Sequence, residues 1–276
     1  QTTIEWIGVS ALQLLEKHEL RIDNCIGIGA GIPGTIDAKS GMVVYSNNSR
    51  GHNVPFSAEL QKYIPLPVYI NNDANCIALA ETIMGAAKDC SNVVLMTVGY
   101  GIGGSMILDG KLFEGRMPGG NELGHMVICM DGASCTCGRK GCLEAYASLP
   151  ALVKATQEAM QADKTSALWD VCQGSLDAVT WDSAFVASAT GDATAHKVVE
   201  KYLACLATGI TNAVNLFRPD LILLSSPLVR AYPELLDDLK ECVAKDSFGG
   251  DGVNTPQLRA TVLGEYAELI GAANLI

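Results

Sequence analysis

At 276 residues the chain is long for a single small core, so one large or two lobed domains are expected. Its 30 acidic and 19 basic residues give a net charge of −11, which argues against this chain itself gripping a nucleic-acid backbone. No run approaches the ~20 apolar residues of a membrane span, and no signal peptide opens the chain. Ile4 to Leu15 carries apolar residues at helical spacing, and Cys25 to Ala30 is a short apolar strand running into Gly31-Ile32-Pro33-Gly34. That glycine-proline segment reads equally as a tight turn or as backbone at a ligand-binding strand end. Met42 to Tyr45 continues the sheet, the stretch 46–56 reads as a polar loop, and Phe56 to Tyr63 reads as a helix.

Pro67 to Asn71 is a strand that opens directly onto Asn72-Asp73-Ala74-Asn75 and a helix through Met84. Asp73 at this junction reads either as a helix N-cap or as a general base at a strand's carboxyl end. Val93 to Val98 is a continuous apolar strand, followed by the glycine-rich Gly99 to Ser105 and a return strand from Met106 to Leu108. A strand, glycine turn and strand can bring backbone N–H groups onto a phosphate. Helices follow over 151–162, 181–189 and 196–216. The strand Asp220 to Leu224 leads into Ser225-Ser226-Pro227, and a helix over 235–244, a strand over 257–262 and a closing helix over 264–273 complete the chain.

The densest chemistry lies between Glu122 and Ser148. His125, Cys135, Cys137 and Cys142 offer one imidazole and three thiolates, the closed tetrahedral set that Zn²⁺ takes at structural sites. Gly132, Gly138 and Gly141 supply the left-handed turns needed to wrap backbone around a small ion. Two carboxylates that zinc does not need, Glu122 and Glu144, flank the loop. The alternative, buried structural cysteines beside a surface histidine, suits this spacing poorly. Of the ten cysteines, these three cluster at metal spacing and others, such as Cys76 and Cys205, lie in helical patterns, which fits free thiols in a reducing, cytoplasmic compartment.

Taken together, GAGIPGTID, INNDAN, TVGYGIGG, ELGHM, CTCGRKGCLEAYAS and the closing LGEYAELIGAA resemble, in order and over essentially the whole chain, the ROK family of sugar kinases and sugar-responsive repressors. The resemblance implies an α/β fold of the actin-like, two-lobed ATPase (ribonuclease H-like) class with an inserted zinc loop at 122–148. One lobe would comprise residues 1–72 and 262–276, the other 73–261. It also implies that about forty residues before Gln1 are missing. Asp73 would be the catalytic base towards a hexose hydroxyl, and Asn48, Asn72, Glu122, His125 and Glu144 would hydrogen-bond the others. His125 would use one ring nitrogen for zinc and one for the sugar. Gly99, Gly101, Gly103, Gly104, Ser225 and Ser226 would line the nucleotide, ATP with Mg²⁺. A homodimer is the assembly the family suggests.

Three places depart from the family pattern. Tyr100 stands where a Thr is usual in the phosphate turn, Ser105 replaces a further Gly there, and Ser225-Ser226-Pro227-Leu228 replaces a Gly-Gly. The expectation is therefore an ATP-dependent, glucokinase-like hexose kinase. The alternative is the sugar-sensing effector domain of a repressor whose DNA-binding part lies upstream. As it stands, the chain is expected to bind a hexose and to transfer phosphate poorly.

Overall fold

The computed structural model describes residues 2–46, 51–250 and 255–276. In chain order the elements are α1 (Thr3–Lys17), β1 (Ile28–Ile32), β2 (Thr35–Asp37), β3 (Met42–Ser46), β4 (Gly51–Val54), α2 (Phe56–Leu60), β5 (Val68–Asn72), α3 (Asp73–Met84), β6 (Val93–Val98), β7 (Ile102–Leu108) and β8 (Lys111–Leu112). Then come α4 (Glu144–Ala147), α5 (Leu149–Ala162), α6 (Leu168–Val171), α7 (Ser183–Ala189), α8 (Ala193–Phe217), β9 (Leu221–Ser225), α9 (Pro227–Ala231), α10 (Leu235–Asp246), β10 (Gln257–Ala260) and α11 (Ala267–Ala273). The chain divides into two compact units, one of residues 1–91, 105–121 and 261–276, the other of residues 92–104 and 122–260.

In the first unit, β1 and β5 pair in parallel with Ile32 opposite Asn72, so both strands end at the same level. β2, β3 and β4 form an antiparallel sheet. Ile36, Val43, Phe56, Leu60, Ile64 and Ile70 make the core under these strands. The first strand starts at Ile28, not Cys25, because Ile22–Asn24 closes a 3₁₀ turn in which the Cys25 N–H donates to the Ile22 carbonyl at 2.9 Å. β4 falls in the stretch that reads as a polar loop. Its pairing with β3 is local, and the Tyr45 and His52 rings lie 5.0 Å apart across it.

α11 lies against α3 and β1, and glycine is required for that approach. A Cβ at Gly271 would overlap the Cys76 carbonyl on α3, and one at Gly29 would overlap the Ala272 carbonyl. The fully buried Glu81 carboxylate locks the same region. It accepts from the N–H groups of Ala86 at 2.7 Å and of Val262 and Leu263, both at 2.9 Å.

In the second unit, β9 pairs in parallel with β6 on one side and β10 on the other. VVLMTV and LILLS are almost wholly buried, as unbroken apolar strands of a covered parallel sheet should be. Asp220 ties the starts of β6 and β9 by accepting from the Asn92 backbone N–H at 2.8 Å. The 25-residue α8 is capped by Asp192, which accepts from the Ala195 N–H at 2.7 Å, and it packs against α4, α5, α7 and α10. The turn after β6 is tighter than its glycine content suggests. The Gly99 N–H reaches the Gly101 carbonyl at 2.9 Å, so the return strand begins at Ile102, ahead of Met106.

Candidate functional site

The cysteine-rich loop is built by short backbone closures. The Cys135 N–H donates to the Arg139 carbonyl at 2.8 Å and the Gly138 N–H to the Cys135 carbonyl at 3.0 Å. Gly138 and Gly141 take φ of 86° and 78°, and a Cβ at Gly141 would overlap the Cys129 carbonyl. Tyr146 on α4 pins the loop from outside, its hydroxyl accepting from the Ala133 N–H at 2.6 Å.

These closures bring His125, Cys135, Cys137 and Cys142 together, with one ligand atom from each lying within 4.8 Å of the others. Cys135 Sγ is 3.6 Å from His125 Nδ1, and Cys137 Sγ is 3.7 Å from Cys142 Sγ. Metal–sulfur bonds of ~2.3 Å in a tetrahedron put sulfurs about 3.8 Å apart, so the donor set fits a tetrahedral thiophilic ion. The thiols are pushed in opposite directions. Burial, then the neighbouring Cys137 and Cys135, takes the Cys142 thiol up to about 12. At Cys137 burial acts upwards, but the Arg139 N–H and hydrogen bonds from Cys135 and Cys142 outweigh it, and the net direction is down. Binding of a cation by such a set would release the thiol protons.

Glu144 at the start of α4 joins this loop to the glycine turn. Its Oε2 accepts from the Ile102 N–H at 2.9 Å, while Oε1 lies 3.3 Å from Thr136 Oγ1 and 3.9 Å from Cys135 Sγ. Glu122 precedes the 3₁₀ turn Leu123–His125, and its carbonyl accepts from the His125 N–H at 3.1 Å.

In the first unit, the cap of α3 is Asn72, not Asp73. Asn72 Oδ1 accepts from the Ala74 N–H at 2.9 Å and the Asn75 N–H at 3.3 Å, and its Nδ2 donates to the Gly34 carbonyl at 3.1 Å. Asp73 is the first helical residue. Its Oδ1 accepts from the Ala74 N–H at 2.9 Å, and among the described residues no hydrogen bond reaches Oδ2. Behind it, Asn71 is held by Glu114 at 3.0 Å and by Asn75 at 2.8 Å, and Asn75 is held by Ser105 at 2.7 Å. Two further acidic groups stand close. Burial, then Glu268 and Asp73, pushes the Cys76 thiol up to about 12, and burial, then Asp73, pushes Glu268 up.

Of the nucleotide candidates, Gly99 and Gly101 form the turn, while Gly103 and Gly104 lie within β7, with the Gly103 N–H on Thr97 Oγ1 at 3.1 Å. Tyr100 at the tip is 88% exposed. Ser225 ends β9, and the buried Ser226 caps α9 by accepting from the Leu228 N–H at 3.2 Å. Asn48 lies outside the described residues. Sequence reasoning passed over Glu81, Glu114, Glu268 and Tyr146. A carboxylate at Glu81 within an otherwise apolar helix face was the one local signal among them.

The ROK family description matches residues 1–276. The chain is 34% identical over 250 residues to a glucokinase of Thermotoga maritima, covering 90% of this chain and 78% of that one. It is 29% identical over 251 residues to the xylose repressor of Bacillus subtilis, covering 91% of this chain and 61% of that one. Among solved structures it is similar to a ROK family glucokinase from Streptomyces griseus in complex with glucose and AMPPNP. The TM-score is 0.85 at 28% identity, covering 99% of this chain and 86% of that chain. The α/β fold is therefore that of ROK sugar kinase structures, the actin-like ATPase class.

Proposed function

The chain belongs to the ROK family, and from that premise we propose that it binds a hexose and serves its ATP-dependent phosphorylation. The observation that carries this reading is the division of labour at the junction of β5 and α3. Asn72 takes over capping, which leaves Asp73 with one carboxylate oxygen unengaged among the described residues at the strand's carboxyl end. That oxygen is suited to accept the proton of a sugar hydroxyl as the hydroxyl oxygen bonds to the γ-phosphorus and the bond to the leaving ADP breaks.

Within the first unit, Asn48 and Asn72 are the further hydroxyl contacts of this proposal; within the second, Glu122, His125 and Glu144. The Gly99–Gly104 turn, Ser225 and Ser226 serve the nucleotide, which carries Mg²⁺. The ion held by His125, Cys135, Cys137 and Cys142 is zinc in this reading. With all four positions filled by protein it supplies rigidity, fixing the direction of the His125 ring, and no open site for Lewis-acid chemistry. A homodimer completes the proposal.

A second reading has its own observations. Ser226 spends its hydroxyl on a buried helix cap, and Tyr100 projects from the turn where phosphate would lie. Both favour a sugar-sensing effector domain without phosphoryl transfer. ATP-dependent turnover of a hexose panel by the protein, beside calorimetry of sugar and nucleotide binding, separates the two. Turnover that falls in Asp73→Asn while the sugar heat persists supports the kinase. Sugar heat without nucleotide heat or turnover supports the sensor, and no sugar heat removes both.

A further inference from the structure

Glu268 lies in the first turn of α11, within the first unit, and its carboxyl makes no hydrogen bond or ion pair among the described residues. What it approaches is the end of the sheet where Asp73 stands. A Cβ at Gly31 would lie 2.9 Å from Glu268 Oε1 and 3.3 Å from Cys76 Sγ, so the two side chains meet over Gly31. Gly31 pairs with Asn71 at the carboxyl ends of β1 and β5, one step before the pair Ile32 and Asn72. Cys76 follows Asp73 by three residues on α3, and side chains at that spacing share a helix face. The missing side chain at Gly31 is what admits the Glu268 carboxyl to this face.

The elements that α11 packs against bring no cation to that carboxyl. α3 offers Asp73 and the buried thiol of Cys76, while its Glu81 is turned to the N–H groups of Ala86, Val262 and Leu263. β1 carries no ionisable side chain and β5 only the Tyr69 phenol. The 3₁₀ turn Gly264–Tyr266 adds Glu265 and Tyr266, both exposed. Burial keeps Cys76 a neutral thiol. Of all these groups, Asp73 is the one whose charge acts on Glu268: partial desolvation, then Asp73, pushes the Glu268 carboxyl up. Such an interaction is mutual, and two carboxyls so placed give up their protons as a pair.

We propose that Glu268 is a positioning residue for the phosphoryl transfer, a second carboxylate beside Asp73 that sets the pH range over which Asp73 accepts the sugar hydroxyl's proton. The inference rests on the kinase reading above and adds a residue to it. The step keeps its balance: the hydroxyl proton passes to Asp73 as the hydroxyl oxygen bonds to the γ-phosphorus and the bond to ADP breaks. Glu268 exchanges nothing with substrate. A carboxylate favours the protonated form of a neighbouring carboxyl, which makes that neighbour the stronger base. Protonating Glu268 withdraws the help.

The test is the pH dependence of ATP-dependent hexose turnover in the parent, Glu268→Gln, Glu268→Asp and Asp73→Asn. Carbon-13 NMR titration of the side-chain carboxyls runs beside it, with thermal melts to confirm folding. In the parent, kcat should rise with pH through two ionisations. Glu268→Gln should keep one of them, with kcat at neutral pH lower by about threefold, as for a weakened base, and KM within about twofold of the parent. Glu268→Asp, which keeps the charge, should restore the second ionisation, and the Glu268 titration should move down in Asp73→Asn. A parent profile with a single ionisation, or one that Glu268→Gln leaves unchanged, overturns the role of Glu268 and leaves Asp73 as the base. A Glu268 carboxyl that titrates alike in the parent and Asp73→Asn overturns the pairing on which that role stands. No turnover in the parent, or turnover untouched by Asp73→Asn, brings down the kinase reading and this role with it.

Discussion

Glu144 Oε2 accepts the backbone N–H of Ile102 at 2.9 Å, and this bond joins the cysteine-rich loop to the glycine turn. Gly101 is what allows it, since a Cβ there would stand 2.6 Å from the same oxygen. Gly101→Ala should therefore displace the Glu144 carboxylate and weaken hexose binding by tenfold or more, or ~1.4 kcal/mol. Glu144→Gln, which keeps an acceptor, should lose less. Calorimetry on the two variants checks the order; equal losses would detach the turn from the sugar site.

One equivalent of zinc per chain is expected in protein purified without chelator. Cys137→Ser should lower metal content, and hexose binding should fall with it, because in the proposed site the ion would hold the loop that carries His125 and leads into Glu144. Elemental analysis alongside calorimetry is the check. Less than half an equivalent in the parent protein would count heavily against the metal.

On the kinase reading proposed above, Asp73→Asn should leave hexose affinity within about tenfold of the parent while ATP-dependent turnover drops by the ~10²–10⁴ of a lost general base. Unchanged turnover takes Asp73 out of the chemistry.

Glu81 is 0% exposed and its carboxylate satisfies three backbone N–H groups, one after α3 and two in the segment leading to α11. Glu81→Ala strands all three donors and opens a void, so a loss of ~3–5 kcal/mol is expected. Urea unfolding measures it, and a loss below about 1 kcal/mol would show that water replaces the carboxylate.

Glu268 is an exposed residue, yet partial desolvation of its carboxyl and then the charge of Asp73 both raise its pKa above the ordinary 4.5. An acid raised in the folded state binds more protons folded than unfolded. The stability this lends is fully present below 4.5 and is lost as pH rises through the folded value. Glu268→Gln should accordingly match the parent at low pH and become the more stable of the two above that window. Melting temperatures across pH 3.5 to about 8 test the crossover, and a difference independent of pH would assign the effect to packing.

Much of the candidate site was legible in the chain because its signals are local. His125 and the three cysteines sit within eighteen residues, and glycines mark the turns between them, so the ligand set needed no long-range contact to be read. The apolar runs 93–98 and 220–224 announced buried parallel strands for the same reason. The cap at α3 was not legible. Asn72 and Asp73 are both good capping residues, and the Gly34 carbonyl, 38 residues away, orients the Asn72 side chain. β4 was missed because its residues lack the alternation of a half-buried strand, and their order comes from pairing with β3. Glu81 stands out on an apolar helix face, but the partners that use it, Val262 and Leu263, lie some 180 positions on and could not be read from it. Residue type and short spacing thus determined which chemistry the chain can hold. Burial and the partners of each polar group are set by contacts between distant segments, and only the tertiary structure decided them.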